Sequence, residues 1–232
     1  MKYIFFLFAL FLSVSCLSMP NWIIIIRHGD GYYVPARNEE MGPALSKEGM
    51  LRTAVFLRYY LDVLVKKKDI PYPDYIFACD PYYAKSLHKM AQSVRHIQTV
   101  SPLVTWLYEH RINQTPEDLL QIPYRKNEYK KMAQLLTQQE YVDNKTILVC
   151  WSHETINKMI AAIKEYSGYD METNWPTGSV WPGGEFESVV IIKCDNKNKK
   201  FVVDKISDAL KIPETKEGKQ ELWNWFFAQF ID

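Results

Sequence analysis

The stretch NWIIIIRHGD, residues 21–30, decides the fold of this chain. Its four consecutive isoleucines leave no polar face, which is typical of a strand buried on both faces of a parallel sheet. The apolar run ends abruptly at Arg27 and His28. The sequence therefore predicts a central strand that carries an arginine and a histidine at its carboxyl end.

The same pattern returns in NKTILVCWSHETINKMIAAIKEY, residues 144–166. A β-branched run from Thr146 to Trp151 is followed by a polar break at Ser152 and His153 and then by helical spacing, which predicts a second strand–loop–helix unit. Three other segments are predicted to be strands: PDYIFACD (73–80), FESVVIIKCD (186–195) and KFVVDKI (200–206).

Helical periodicity lies between these strands. It is clearest in residues 45–68, where Ser46 and Glu48 suit a helix start, and we expect further helices over 94–107, 116–140 and 221–230. Pro102 is expected to be tolerated only near a helix start. The alternation predicts an α/β fold, a three-layer sandwich with a mostly parallel central sheet, formed by one domain over residues 19–232.

Composition narrows the class of protein. The chain has 232 residues, and its 28 Lys and Arg nearly balance 27 Asp and Glu. A charge of +1 does not suit a protein that coats nucleic acid, and 47% hydrophobic residues do not suit a disordered chain. We therefore expect a globular protein with no nucleic-acid partner.

Residues 1–18 have the pattern of a signal peptide: Lys2, an apolar run and the small residues of SCLS. The run is about 12 residues long, shorter than the roughly 20 needed to cross a bilayer. We therefore expect a secreted or periplasmic protein with no stable membrane span after cleavage. A lipid anchor on Cys16 is the alternative, but Ser13 stands where such signals prefer a bulky aliphatic residue.

The remaining cysteines, Cys79, Cys150 and Cys194, lie in separate apolar runs without zinc-site spacing. Buried free thiols are the expectation, and the sequence leaves open one disulfide of undetermined pairing.

The two histidines at strand ends are the candidate chemistry. Ligands of open α/β sheets bind beyond the carboxyl ends of the strands, so His28 and His153 are expected to meet there. In Arg27-His28-Gly29, arginine offers a planar fork for phosphate oxygens, histidine a nitrogen nucleophile, and glycine a close backbone approach.

Four ordered segments then resemble the histidine phosphatase superfamily, also called the phosphoglycerate mutase-like family: IIIIRHGD, LSKEGMLRTA, RHIQTVSPL and ILVCWSHETI. The resemblance covers roughly residues 22–192. It implies an α/β sandwich that needs no metal or other cofactor. It further implies that His28 becomes phosphorylated while Arg27, a second arginine and His153 bind the phosphoryl oxygens.

The resemblance places the second arginine at a helix start, four residues before a threonine, which fits Arg95 and Thr99. Lys85 is a competitor because a longer segment than usual follows the second strand. The loop after Gly29 also departs from the family, since Gly31-Tyr32-Tyr33-Val34 stands where a polar or basic residue is common, and Arg37 is the nearest substitute.

The proton donor stays open among three carboxylates. Glu154 directly follows His153, Glu109 follows the Arg95 helix as in the mutase-like branch, and Asp30 is the third candidate. Glu154 would equally suit the positive end of the following helix as a structural residue.

Taken together, these residues predict a phosphatase that hydrolyses a small phosphorylated substrate through a phosphohistidine. Two alternatives remain: a phosphoglycerate mutase-type phosphotransferase, and a non-catalytic phospho-ligand-binding protein of the same fold.

Overall fold

The computed structural model describes residues 19–34, 39–81, 93–110, 114–175 and 180–231. The strands are β1 Trp22–Arg27, β2 Gly31–Val34, β3 Glu39–Leu45, β4 Tyr75–Ala78, β5 Leu120–Gln121, β6 Thr146–Trp151, β7 Asp170–Thr173, β8 Val189–Asp195 and β9 Lys200–Ile206. The α-helices are α1 Lys47–Tyr59, α2 Lys66–Lys68, α3 Arg95–His110, α4 Pro116–Leu119, α5 Tyr129–Gln138, α6 His153–Ser167 and α7 Lys216–Ala228. A π-helical segment, Tyr60–Val65, joins α1 to α2, and a 3₁₀ turn, Glu140–Val142, follows α5.

Seven strands form the central sheet in the order β5-β4-β6-β1-β8-β9-β7. Neighbouring strands are parallel except for β1–β8 and β8–β9, and β2 and β3 form a separate hairpin. The mostly parallel sheet predicted from the sequence is confirmed.

The isoleucines of β1 contact two separate hydrophobic clusters, one on each face of the sheet. Ile23 and Ile25 pack into the cluster formed with α5 and α6, whereas Ile24 and Ile26 pack into the cluster formed with α1 and α3. All four are fully buried. The alternation follows from the period of two in a strand, and it produces a helix–sheet–helix sandwich with β1 at its centre.

Two helix predictions are corrected. Residues 116–140 are not one helix but α4, β5 and α5, and Pro123 lies in the loop between β5 and α5, where it cannot donate a backbone hydrogen bond. Pro102 lies well inside α3 rather than near its start. Leu103 and Leu107, beyond the proline, are fully buried, so packing outweighs the lost hydrogen bond.

The three cysteines are buried free thiols, and the disulfide left open by the sequence is not formed. Cys79 packs in the α5–α6 layer and Cys150 in the α1–α3 layer, on opposite faces of the sheet. The leader, residues 1–18, lies outside the described residues. Within the described ranges, no helix combines the length and apolarity needed to cross a membrane.

Candidate active site

Strand register brings three polar segments to one edge of the sheet. Arg27 of β1 pairs with Trp151 of β6, and Ala78 of β4 pairs with Cys150 of β6. The strands are parallel, so the residues that follow them leave the sheet on the same side. His28 follows β1 and His153 follows β6, as predicted, and Asp80 follows β4.

A cavity of about 180 Å³ lies at this edge. Its lining is mainly polar or ionisable, and the residues are His28, Cys79, Asp80, Pro81, Ser93, Arg95, His96, Lys126, Ser152, His153 and Glu154. His28, Arg95 and His153 thus lie in one hollow, although they are far apart in the sequence.

The His28 ring has a defined tautomer. Its Nδ1 lies 2.8 Å from the backbone oxygen of Gly29. A carbonyl oxygen only accepts hydrogen bonds, so Nδ1 carries the proton and donates it. Nε2 then keeps its lone pair, which is the state that a nitrogen nucleophile needs.

Burial keeps this imidazole neutral. Only 5% of His28 is exposed, and its pKa lies well below 6.5, chiefly because burial disfavours the charged ring. Neighbouring His96, Arg95 and Arg27 lower the pKa further, and the bond to Gly29 opposes them. At neutral pH the His28 ring is therefore uncharged, with its one proton on Nδ1 and none on Nε2.

Helix α3 is tied directly to the loop that carries His28. The backbone N–H of Gly29 donates to Thr99 Oγ1 at 2.8 Å, and the same hydroxyl donates to the Arg95 carbonyl at 2.7 Å. A Cβ on Gly29 would approach the Gly49 carbonyl oxygen to 3.0 Å, so the glycine permits close packing here. Thr99 thus links Arg95 to His28.

Arg95 occupies the position predicted for the second arginine. It is the first residue of α3, its Nε donates to Ser93 Oγ at 3.0 Å, and it lines the cavity. Lys85, its competitor, and Arg37 lie outside the described residues.

His96 is a site residue that the sequence analysis missed. It lines the cavity, its ring centroid lies 4.6 Å from that of His28, and it is 5% exposed. Burial and the Arg95 charge lower its pKa from 6.5 to about 3. The sequence contained a signal that could have identified His96, because this histidine directly follows Arg95, the arginine assigned to the pocket.

His153 and Glu154 enter the cavity from the start of α6. Ser152 occupies the N-cap position of this fifteen-residue helix without a side-chain capping bond, and the N-terminal end of a helix favours anions. Glu154 is ion-paired to Lys126 at 2.7 Å, and both side chains are more than one-third exposed. Such an exposed pair is weak, so a ligand can displace either partner.

Arg27 is not among the described residues that line the cavity, and the phosphoryl-binding role that the resemblance implies for it stays a prediction. Its Nη1 donates to the carbonyl oxygens of Gly183 and Glu185, the latter at 3.1 Å. Its guanidinium carbon lies 3.5 Å from the centroid of the Phe186 ring. A Cβ on Gly183 would lie 3.8 Å from His153 Nε2. These hydrogen bonds of Arg27 therefore fix the Gly183–Glu185 loop, and this loop approaches His153 in the site.

Two of the candidate proton donors, Asp30 and Glu109, are not among the described residues that line the His28 cavity. Asp30 accepts a hydrogen bond from Arg52 Nε at 2.7 Å and lines a different hollow, with Glu185 and Lys205. Glu109 is exposed in the last turn of α3, about 20 Å from Arg95 at the helical rise of 1.5 Å per residue. Of the three candidate proton donors, Glu154 alone is among the described residues that line the His28 cavity, and the choice of donor stays a prediction.

Asp80 is a further carboxylate that the sequence analysis missed. It follows β4, lines the cavity and lies 3.8 Å from Arg125 Nε. The rule that selected His28 and His153, a polar residue directly after a buried strand, selects Asp80 as well. The described residues that line the cavity therefore include two cations, Arg95 and Lys126, and two carboxylates, Asp80 and Glu154.

Trp175 and Trp181 are buried in the α5–α6 layer, where the centroids of their rings lie 5.5 Å apart. Across the described residues, no three His, Cys, Asp or Glu side chains are arranged to hold a metal ion.

Comparison with known proteins adds little to this geometry. No protein-family model matches the sequence, and no curated protein matches it either. A crystal structure from Agrobacterium tumefaciens, of a protein with the provisional name phosphohistidine phosphatase SixA, is 14% identical with a TM-score of 0.40. The match covers 76% of this chain and 94% of that one. A likeness this weak carries no argument about activity, and the α/β fold stands on the sheet described above.

Proposed function

We propose that this chain belongs to the histidine phosphatase superfamily and hydrolyses small phosphomonoesters through a phosphohistidine on His28. The observation that carries the proposal is the hydrogen bond from His28 Nδ1 to the Gly29 carbonyl. It leaves Nε2 as the lone-pair nitrogen of a buried, neutral imidazole beside Arg95 and His153.

In the first half-reaction His28 Nε2 attacks phosphorus in line with the ester oxygen. A P–N bond forms while the P–O bond to the alcohol breaks. Arg95, His153 and the start of α6 supply donors that are in place before charge develops on the phosphoryl oxygens. Arg27 contributes by holding the Gly183–Glu185 loop, which reaches His153.

Glu154 is the proposed proton donor. It lines the cavity, unlike Glu109 and Asp30. Once a ligand has displaced Lys126 and the Glu154 carboxyl has taken up a proton, that proton would pass to the departing alkoxide. In the second half-reaction the same carboxylate takes a proton from water, which attacks phosphorus and releases phosphate and free His28. Asp80 lines the same cavity and is the comparison residue for this role.

A leaving-group series tests the donor. Glu154→Gln should lower kcat/KM for an alkyl phosphate far more than kcat/KM for p-nitrophenyl phosphate, because this ratio reports the steps up to leaving-group departure and nitrophenolate leaves without a proton. Asp80→Asn is the matched variant. If Asp80→Asn shows this selective loss and Glu154→Gln does not, the donor is Asp80.

The nucleophile is tested by hydrolysis of p-nitrophenyl phosphate together with trapping of a phosphoenzyme. His28→Asn should lower kcat/KM by roughly 1,000-fold or more and abolish the acid-labile phosphoenzyme. His110→Asn is the control, because His110 is exposed at the far end of α3. An active His28→Asn enzyme would refute the mechanism.

A non-catalytic phospho-ligand binder is the second candidate. Two observations favour it: Arg27 is turned to backbone carbonyls, and Glu154 is paired with Lys126. Binding of inorganic phosphate without hydrolysis of any phosphomonoester would support it. Phosphoglycerate interconversion without phosphate release would instead support the mutase-type alternative.

The location of the protein is also a proposal. Residues 1–18 are proposed to direct secretion or periplasmic export, with a lipid anchor on Cys16 as the alternative. Expression with and without residues 1–18, followed by fractionation and mass measurement of the mature N-terminus, distinguishes these outcomes.

A further inference from the structure

His96 presents a second imidazole beside the proposed nucleophile. Its ring meets that of His28 edge-on, with an interplanar angle of 77°, and it lines the same cavity. Only 5% of the residue is exposed. A phosphoryl group on His28 would therefore occupy the cavity that His96 lines.

Neither ring nitrogen of His96 has a hydrogen-bond partner of normal geometry among the described residues. A contact with the Ser93 backbone that falls short of normal hydrogen-bond geometry raises the pKa of His96, but burial and the Arg95 charge lower it more, so the ring is neutral. Leaving a buried polar group without a partner costs about 1–3 kcal/mol, so such groups in native proteins call for an explanation. A ligand in the cavity would supply the missing partner.

We propose that His96 is a phosphoryl-binding residue, whose neutral N–H donates to an oxygen of the phosphoryl group that His28 accepts. The proposal rests on the function proposed above and adds a residue that the family resemblance did not include. A neutral ring with one N–H can donate to a phosphoryl oxygen without adding a second charge beside Arg95.

Packing alone does not require a histidine at this position. His96 lies on the buried side of α3 with Thr99, Val100 and Leu103, where an apolar ring of similar size would serve. A purely structural His96 would position His28 by contact, and a phenylalanine would keep that contact. The two roles therefore make different predictions for His96→Phe.

The test compares His96→Phe and His96→Gln with wild type, using inorganic phosphate as the ligand in calorimetry and p-nitrophenyl phosphate in kinetics. His96→Phe should weaken phosphate binding about tenfold, the loss of one hydrogen bond to a charged group. His96→Gln, which keeps an N–H donor, should recover at least part of that loss. His110→Phe is the control for an exposed histidine on the same helix, and thermal unfolding checks that each variant is folded.

The outcomes separate this inference from the proposed function. If wild type hydrolyses the ester and His96→Phe binds phosphate like wild type, the role of His96 is overturned while the phosphatase stands. The same holds if His96→Phe lowers kcat with phosphate affinity unchanged, since that indicates positioning by contact. If wild type binds phosphate without hydrolysis, the phosphatase fails and the two variants still decide the role of His96. If wild type neither binds phosphate nor hydrolyses the ester, both proposals fall.

Discussion

Two polar regions flank the end of β1: an anchored region around Arg27 and Arg52, and the His28 cavity. The two regions differ in how their buried polar groups are hydrogen-bonded. In the anchored region, Arg27 donates to the Gly183 and Glu185 carbonyls. Arg52 in the same region contacts Asp30, Glu187 and the Leu210 carbonyl. In the His28 cavity, two buried imidazoles are kept neutral, and His96 has no normal hydrogen-bond partner among the described residues.

The difference teaches where to look for a ligand. A cation held by carboxylates and a backbone carbonyl, as Arg52 is, fixes the chain in place, and its removal leaves those partners with an uncompensated cost. Polar groups left buried without partners gain most from a ligand that completes their hydrogen bonds. At neutral pH, substitutions in the anchored region should therefore change stability, whereas substitutions in the cavity should change binding.

The largest expected effect is on stability, from Gly49→Ala in the anchored region. A Cβ there would lie 2.2 Å from the Asp30 backbone oxygen, which also accepts from the Ser46 N–H. Backbone must shift to relieve this overlap, so the free energy of unfolding should fall by about 3 kcal/mol. Gly184→Ala is the control, because a Cβ there has no atom within 4 Å. Equal stability of the two variants in urea unfolding would contradict this account of the anchored region.

Arg52→Met should have the next largest effect. The Arg52 side chain is 10% exposed, and its loss leaves Asp30 and Glu187, 21% and 33% exposed, without their cation. Fully buried pairs cost 3–5 kcal/mol to break, so partial exposure here suggests about 2–3 kcal/mol. Arg58→Met, which removes an exposed pair at 3.8 Å, should change stability by less than about 0.5 kcal/mol. A stability loss in Arg58→Met as large as that in Arg52→Met would contradict the comparison.

Lowering the pH tests the cavity by its effect on stability. The pKa of His96 is 6.5 in the unfolded chain and about 3 when folded, so between these values the unfolded chain binds the extra proton. The free energy of unfolding should therefore fall as pH drops below 6.5, by about 2 kcal/mol for His96 between pH 8 and pH 5. The lowered pKa of His28 acts in the same direction.

The matched variant isolates the His96 contribution to that loss. Urea unfolding of His96→Phe at pH 8 and pH 5 should show about 2 kcal/mol less pH dependence than wild type, whereas His110→Phe should resemble wild type. Identical pH dependence in wild type and His96→Phe would show that protonation of His96 does not cause the loss of stability at low pH.

The central sheet was predictable because its strands carry a local signal. Ile23 to Ile26 and Thr146 to Trp151 are continuous apolar runs that end in polar residues, and both became buried parallel strands. Pro102 and the segment 116–140 were predicted wrongly, because burial of Leu103 and Leu107 outweighs one proline and because Pro123 lies outside regular structure. Tertiary packing, which the local pattern does not report, decided these cases.

The site was predictable where it lies at strand ends. Residues His28 and His153 follow β1 and β6, and Asp80 follows from the same rule applied to β4. The orientation of Arg27 was not predictable, since it depends on carbonyl groups more than 150 residues away in the sequence. The ion pair of Asp30 with Arg52 likewise depends on how α1 is seated against β1.

The smallest expected change in stability comes from Arg95→Met, in the cavity. A cation in the first turn of a helix opposes the helix dipole, and Arg95 also disfavours protonation of His28 and His96. Its removal should therefore alter the free energy of unfolding by less than about 0.5 kcal/mol. Affinity for inorganic phosphate should nevertheless fall at least tenfold, because a charge-assisted donor is lost.

Arg95→Lys sharpens this last test, because it keeps the charge and removes the planar fork. It should recover only part of the phosphate affinity lost in Arg95→Met if the guanidinium binds two oxygens at once. Full recovery by lysine would indicate a point charge instead. Unchanged phosphate affinity in Arg95→Met would show that Arg95 does not bind the phosphoryl group. A large loss of stability in the same variant would show that Arg95 anchors the chain as Arg52 does. That second result would contradict the distinction between the two regions.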